Sequence, residues 1–271
     1  MAESPNLALG YNSTYELFDS PLMQAIRRES YGEDIGQYSW VTAAELREHL
    51  QSLKLTEQSR VLDFGCGPCG PLTFIAKNVG CQLVGVDLSA QALAVGAARA
   101  KRMEVSSLIE LHQADGNSAL PVRAGFDAVV SFDVILHLQD RATILKRFSS
   151  LLKPSGKILL TDAGVVTGAI SNEEFALRSV NGFTQFVPPG FNEKILESCS
   201  FKILSITDRT DGLLHNASGR IRARSAHAEE LIKIEGPEKF HEQQRYLETV
   251  VKLSERKALS RMVYLAEWST R

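Results

Sequence analysis

The 271-residue sequence predicts an α/β fold, a seven-stranded and mostly parallel sheet with helices on both faces and a helical lid inserted among the late strands. Three observations lead there. From residue 60 onward, short runs rich in Val, Ile and Leu alternate with longer stretches whose apolar residues recur at helical spacing, as in parallel strands buried on both faces. A glycine-rich turn follows the first run, at the point where such a sheet opens toward a ligand. Two more strand-like runs come late, each preceded by long helical patterns.

Taken in order, residues 1–57 read as a helical cap segment, 58–163 as the ligand-binding core and 164–271 as late strands with a lid, all within one catalytic domain. In the cap, Thr42 followed by Glu45 matches a capping box and starts a helix near Ala43; the loop before it carries Tyr31, Tyr38 and Trp40. Five core strands are RVLDFG (60–65), QLVGVDL (82–88), LIELHQAD (108–115), FDAVVSFD (126–133) and GKILLTDA (156–163). Between them PLTFIAKNVG, SAQALAVGAARAKRME and DRATILKRFSSLLKPSG show helical spacing and end near Gly or Pro. FKILSITDR (201–209) and MVYLAEWS (262–269) complete the seven. The helical stretches at 172–198 and about 213–258 either cap the carboxyl edge as a lid or add a structural layer.

Bulk properties narrow the function. Apolar residues at 44% and charged residues at 23% fit a folded chain without long disordered tracts. A net charge of -2 offers no global attraction for nucleic acid, so a small-molecule partner is expected. The N-terminal stretch lacks the charged and apolar regions of a signal peptide, and no run reaches about 18 apolar residues, so no membrane partner and a cytoplasmic location are expected. Four cysteines (66, 69, 81 and 199) make no disulfide framework, and no Cys/His spacing fits zinc; no metal is expected.

The turn VLDFGCGPCGPL holds two overlaid motifs. Its sulfurs form the dithiol Cys66-Gly67-Pro68-Cys69; its glycines and acid form a nucleotide-binding turn with Asp63, Gly65 and Gly67. Position between the first strand and first helix of a long α/β series favours the glycines, which remove the Cβ atoms that would block a ligand from the backbone. Pro68 or Pro71 suits the helix start. A cysteine near a helix N-terminus can have a lowered pKa, which keeps a redox role open. The second strand ends with Asp87, 20 residues beyond Gly67, where a carboxylate would hold two ribose hydroxyls. Asp115 at the end of the third strand is placed to accept from an adenine amino group. Polar residues at four successive strand ends suit one ligand stretched across the sheet edge.

As an ordered set, VLDFGCGPCG, VGVDLS, ADGNSALP, FDAVVSFDVILHL and LLKPSGKILLTD resemble the motifs of class I S-adenosylmethionine-dependent methyltransferases, over about residues 58–163. The resemblance implies a Rossmann-like core and S-adenosyl-L-methionine as cofactor. It places Asp63, Gly65 and Gly67 near the methionine part, Asp87 on the ribose, Leu88 against the adenine and Asp115 at its amino group, with Gly116 and Phe132 also on the cofactor. YNST, YGEDIGQYSW, FDVILHLQDR and SRMVYLAEWSTR are similar to the small-amine N-methyltransferases that include the phosphoethanolamine and sarcosine/dimethylglycine enzymes. That likeness implies Asp133 and His137 at the reaction centre, Tyr11 closing over them, and Gln37 and Tyr38 in a loop covering the cofactor.

His137 can take a proton near neutral pH or simply pack under the lid; Asp162, ending the fifth strand, can orient the acceptor or support the histidine. Departures from the phosphoethanolamine pattern are plain: Ala163 and Gly182 fall where large polar groups would hold phosphate, leaving Arg178 as an isolated basic candidate. A phosphobase is therefore not the expected acceptor, and Phe175, Phe183, Phe186 and Trp40 offer an apolar or cation-binding wall instead. The basic stretch GRIRARSAH (219–227) reads as a solvated helix face, with an anion site or RNA contact as alternatives. Function is expected to be methyl transfer to a small molecule at an amine nitrogen. An oxygen or carbon acceptor is the alternative, followed by a non-catalytic cofactor-binding protein and a dithiol oxidoreductase.

Overall fold

The computed structural model describes residues 15–269. Its centre is a sheet of seven strands: β1 (Arg60–Phe64), β2 (Gln82–Asp87), β3 (Ile109–Gln113), β4 (Phe126–Phe132), β5 (Leu152–Val166), β6 (Phe201–Asp208) and β7 (Leu259–Trp268). Their order is β3-β2-β1-β4-β5-β7-β6. β1 to β5 pair in parallel, and β7 runs antiparallel between β5 and β6. The fold class expected from the sequence is the fold observed.

Strand residues alternate between two buried layers, because successive side chains leave a strand on opposite faces. Val61, Ala128, Val130 and Leu159 enter one core with Leu72 and Ile75; Leu62, Val129, Ile158 and Leu160 enter the other with Ile144, Leu145 and Phe148. Each fully buried Leu or Ile here contributes about 1.5–3 kcal/mol of transfer free energy. Those partners lie on α3 (Gly70–Val79) and α5 (Arg141–Leu151), and α4 (Ala90–Arg102) covers the strands nearest the β3 edge. Capping side chains set where two of these helices begin: Ser89 accepts from the Ala92 amide and Asp140 from the Thr143 amide.

The cap contributes α1 (Pro21–Tyr31) and α2 (Ala43–Leu53). Thr42 does accept from the Glu45 amide at 3.1 Å, but only half of the expected capping box forms. The Glu45 carboxylate turns into the protein, toward His49 and Arg261. The helix expected to run on through LLKPSG stops at Leu151, and the chain enters β5 at Leu152, with an irregular register opposite Phe126 and Ala128.

The stretch at 172–198 is two short helices, α6 (Asn172–Arg178) and α7 (Phe191–Ser198), joined by a loop whose Val187 bridges Val165. Between β6 and β7 lie α8 (Thr210–Ala226), α9 (Ala228–Glu235) and α10 (Pro237–Glu255). α8 packs on both α10 and the cap helix α1. These helices therefore join the N-terminal cap over the carboxyl ends of the strands. No helix among the described residues is long and apolar enough to cross a membrane.

Candidate active site

The tips of β1 to β4, the cap loop and the late helices enclose a cavity of about 250 Å³. Gly65 adopts φ +76°, and a Cβ there would press on Val134 at 2.5 Å, so only glycine permits this turn. The Gly67 amide donates to Asp87 Oδ2 at 2.8 Å and the Ser89 amide to Oδ1 at 2.9 Å. The second strand end is thus tied to the first turn, and Asp87 lines the cavity. Gly70 lets the backbone of Gly36 and Gln37 close on the start of α3, since a Cβ would lie 2.6 Å from the Gln37 amide nitrogen.

Asp63 is almost fully buried, and its Oδ2 has no hydrogen-bond partner among the described residues. Burial, reinforced by the nearby Asp87, pushes its carboxyl up to about 8. An orphaned buried carboxylate on a cavity wall suits a cationic ligand group. Leu88 is 38% exposed at the rim, an apolar surface suited to a flat base, and Asp115 and Gly116 lie beyond it. A nucleoside with an amino-acid arm fits this set of residues. Phe132 and Tyr38 line the same cavity.

At the end of β4 Asp133 sits at φ +58°, a left-handed conformation unusual for a residue with a side chain. Its carboxylate is held from three directions: Oδ1 accepts from Thr161 Oγ1 at 2.8 Å and Arg261 Nε at 2.9 Å, and Oδ2 accepts from the Trp40 amide at 2.8 Å. His137 closes the short 3₁₀ turn Ile135–His137, and its Nδ1 lies 2.7 Å from the Phe183 carbonyl oxygen. With the carbonyl accepting from Nδ1–H, the lone pair of a neutral ring resides on Nε2. Burial lowers the His137 pKa despite that hydrogen bond, so the ring is neutral at pH 7.

The structure does not bring every expected residue to the cavity. Asp162 is fully buried behind the wall, paired with Arg141 at 2.6 Å and accepting from Asn192 Nδ2 and the Gly164 amide, each at 2.8 Å. Through Arg141 and Asn192 it ties α5 and α7 to β5. Gln37 is also turned inward: its Oε1 accepts from the Ile35 amide and its Nε2 donates to the Glu33 carbonyl, so it shapes its own loop. Tyr11 lies outside the described residues; Tyr15 from the same segment stands over the glycine turn. Phe175 and Phe186 pack on each other at 4.8 Å within the lid, away from the cavity.

The cavity wall opposite the strand tips holds Arg178, the basic candidate named from the sequence, and residues whose place the sequence reading missed or misread. Arg178 is buried, donates to Tyr246 Oη at 2.8 Å, and keeps a buried Nε with no hydrogen-bond partner among the described residues. Arg220 belongs to the stretch expected to be a solvated helix face, yet its guanidinium sits 5.0 Å from the Trp40 ring and lines the cavity. Asn216 on the same helix donates to the Trp40 carbonyl at 2.6 Å. The signal was present in the spacing: Asn216, Arg220 and Arg224 recur every four residues and share one helix face.

The dithiol has a structural place. Cys66 and Cys69 are both buried, with sulfurs 3.9 Å apart. The Cys69 hydrogen bond and burial push the Cys66 thiol well up, opposite to the lowering expected near a helix N-terminus. Among the described residues, no group of three or more His, Cys, Asp and Glu could hold a metal ion.

Residues 62–160 match a family described as a methyltransferase domain. The strand tips surveyed above fall within that span. That span thus has the sequence pattern and the fold of a methyltransferase domain. Phosphoethanolamine N-methyltransferase 1 of Zea mays is 30% identical to the chain over 179 residues, covering 66% of this chain and 35% of the relative. The chain thus spans about a third of the length of the curated relatives it matches. Among solved structures, Haemonchus contortus phosphoethanolamine N-methyltransferase 2, in complex with phosphomonomethylethanolamine and S-adenosylhomocysteine, gives a TM-score of 0.81 at 19% identity, covering 100% of this chain and 61% of that one. The cyclopropane synthase MmaA2 of Mycobacterium tuberculosis gives 0.80 at 17% identity, covering 98% and 100%. At these identities the likeness shows the methyltransferase fold and leaves the acceptor to be argued from the cavity.

Proposed function

We propose that the chain methylates a small molecule at an amine nitrogen, using S-adenosylmethionine held across the tips of β1 to β4, and that the acceptor carries an acidic group facing Arg178 and Arg220. The observation that carries this reading is the sharing of one cavity by two sets of groups. Asp133 comes from the tip of β4, and Arg178 and Arg220 come from the late helices. A molecule with a basic nitrogen and an acidic end matches that distribution of charge.

When bound, S-adenosylmethionine supplies an electrophilic methyl group for in-line displacement. The chain's own residues then have three tasks. Asp133, held by Trp40, Thr161 and Arg261, accepts a hydrogen bond from the acceptor nitrogen and aims it. His137, neutral with its lone pair on Nε2, takes the proton that an ammonium must lose before it can attack. Tyr15, Tyr38, Trp40 and Tyr246 wall the cavity with rings and limit water. The cap of residues 1–57 and the late segment of residues 164–271 serve this core as cover and acceptor wall.

The test is turnover by purified protein of a panel of amines with and without a carboxylate or phosphate, alongside phenols and enols, with products weighed by mass spectrometry. Turnover of an acidic amine is expected, and Arg178→Met and Arg220→Met should each raise its KM at least tenfold with S-adenosylhomocysteine affinity unchanged. Turnover confined to phenols or enols overturns the amine reading. Arginine variants without effect on KM overturn the acidic one.

A further inference from the structure

A line of buried charge runs from α2 to the cavity. Arg261 on β7 is completely buried; its Nε donates to Asp133 Oδ1 at 2.9 Å and its Nη1 to both Glu45 oxygens at 2.8 and 3.0 Å. Glu45 is itself buried on α2, and His49 Nε2 lies 3.0 Å from its Oε1. Burial alone would favour a protonated Glu45, but the His49 hydrogen bond and the Arg261 charge outweigh it and hold the carboxyl at about 2. Glu45 is therefore a fixed negative charge.

One arginine between two carboxylates changes what the cavity presents. An isolated Arg261–Asp133 pair would be neutral, and a cation in the cavity would gain little from it. With Glu45 sharing the guanidinium, Glu45, Arg261 and Asp133 sum to one negative charge, the Glu45 carboxylate offsetting the arginine. Asp133 is the only member of the trio on the cavity wall. Nothing in the chemistry already assigned to Asp133 requires Glu45, which does not line the cavity.

We propose that Glu45 is a positioning residue which, by cancelling the charge of Arg261, lets Asp133 present a net negative charge to a cationic centre in the cavity, whether sulfonium or ammonium. The inference rests on the cavity's reading as a cofactor and acceptor site. One charge at about 7–10 Å in a partly screened interior corresponds to roughly three- to tenfold in affinity.

Calorimetry with S-adenosylmethionine and S-adenosylhomocysteine, which differ by the sulfonium charge, tests the sulfonium arm. Tetramethylammonium binding to the S-adenosylhomocysteine complex tests the ammonium arm. Glu45→Gln should weaken the cationic ligand roughly three- to tenfold in at least one arm, with S-adenosylhomocysteine affinity within twofold, and Glu45→Asp should restore it. The double variant Glu45→Gln/Arg261→Gln, which leaves no unpaired buried arginine and returns the net charge to that of Asp133, should bind like the unmodified protein in that arm. This holds the inference to account even if the single variant fails to fold. A Glu45→Gln protein unchanged in both arms, or a double variant weaker than the single, overturns it. A folded, unmodified protein that takes up neither nucleoside overturns the cofactor reading beneath it, a result distinct from unchanged ratios.

Discussion

Replacing Asp63 by Asn removes a carboxyl whose state should change when the cofactor arrives. Its folded value of about 8, against the ordinary 3.8, means that about nine in ten molecules carry the proton at pH 7 without ligand. Pairing with a ligand ammonium would bring the carboxyl back to the ionised form. Binding of S-adenosylhomocysteine at pH 7 should therefore release about 0.9 proton, falling to about 0.1 at pH 9, as calorimetry in buffers of different ionisation enthalpy would report. The Asp63→Asn protein should lack that pH dependence and bind at least a hundredfold more weakly. Stability gives an independent reading with a definite sign. Between pH 4 and 8 the folded chain holds a proton that the unfolded chain has lost, so this site makes stability fall as pH rises through that window. The span of about four pH units sets a ceiling of roughly 5–6 kcal/mol on the effect. Asp63→Asn should flatten that slope and melt higher than the unmodified protein at pH 8. Tight binding without proton release at pH 7, together with parallel stability profiles for the two proteins, would refute the account of this site.

Two further outcomes follow from named contacts. His137→Gln should lower kcat by about 10²–10⁴ if the ring takes the acceptor proton, and the acid limb of the unmodified rate profile should lie below pH 6.5, because burial lowers the ring's pKa; near-normal turnover of the variant from pH 6 to 9 would assign the ring to packing. Asp162→Ala leaves Arg141 buried and unpaired and should cost about 3–5 kcal/mol in denaturant unfolding. Turnover per folded molecule should stay within about threefold, and a stable but inactive variant would return Asp162 to the reaction.

The strands and their cavity-lining tips were legible because their signals are local: apolar runs of strand length, a glycine turn, an acid at the next strand's end. Where sequence reading failed, the deciding partner came from elsewhere in the chain. A strand-end position told which edge Asp162 occupies, but Arg141 and Asn192, on two other helices, claim its oxygens. Gln37 lies in the covering loop as expected, while its own loop's amide and carbonyl turn the side chain away from the cavity. Thr42 and Glu45 had the spacing of a capping box, yet a buried arginine more than 200 residues away outcompetes the local amide. The charge run at 219–227 looked solvated because the four-residue spacing of Asn216, Arg220 and Arg224 marks a shared helix face but not the distant Trp40 that this face meets.

Trp40 is gripped at both ends of its backbone: its amide by the strand-tip carboxylate of Asp133, its carbonyl by Asn216 of the late helices. A single residue thus couples the two covers mechanically. Neither can swing aside while both bonds hold, and each buried bond opposes release by about 0.5–1.5 kcal/mol. Entry and exit of ligands past Trp40 then require both covers to move together.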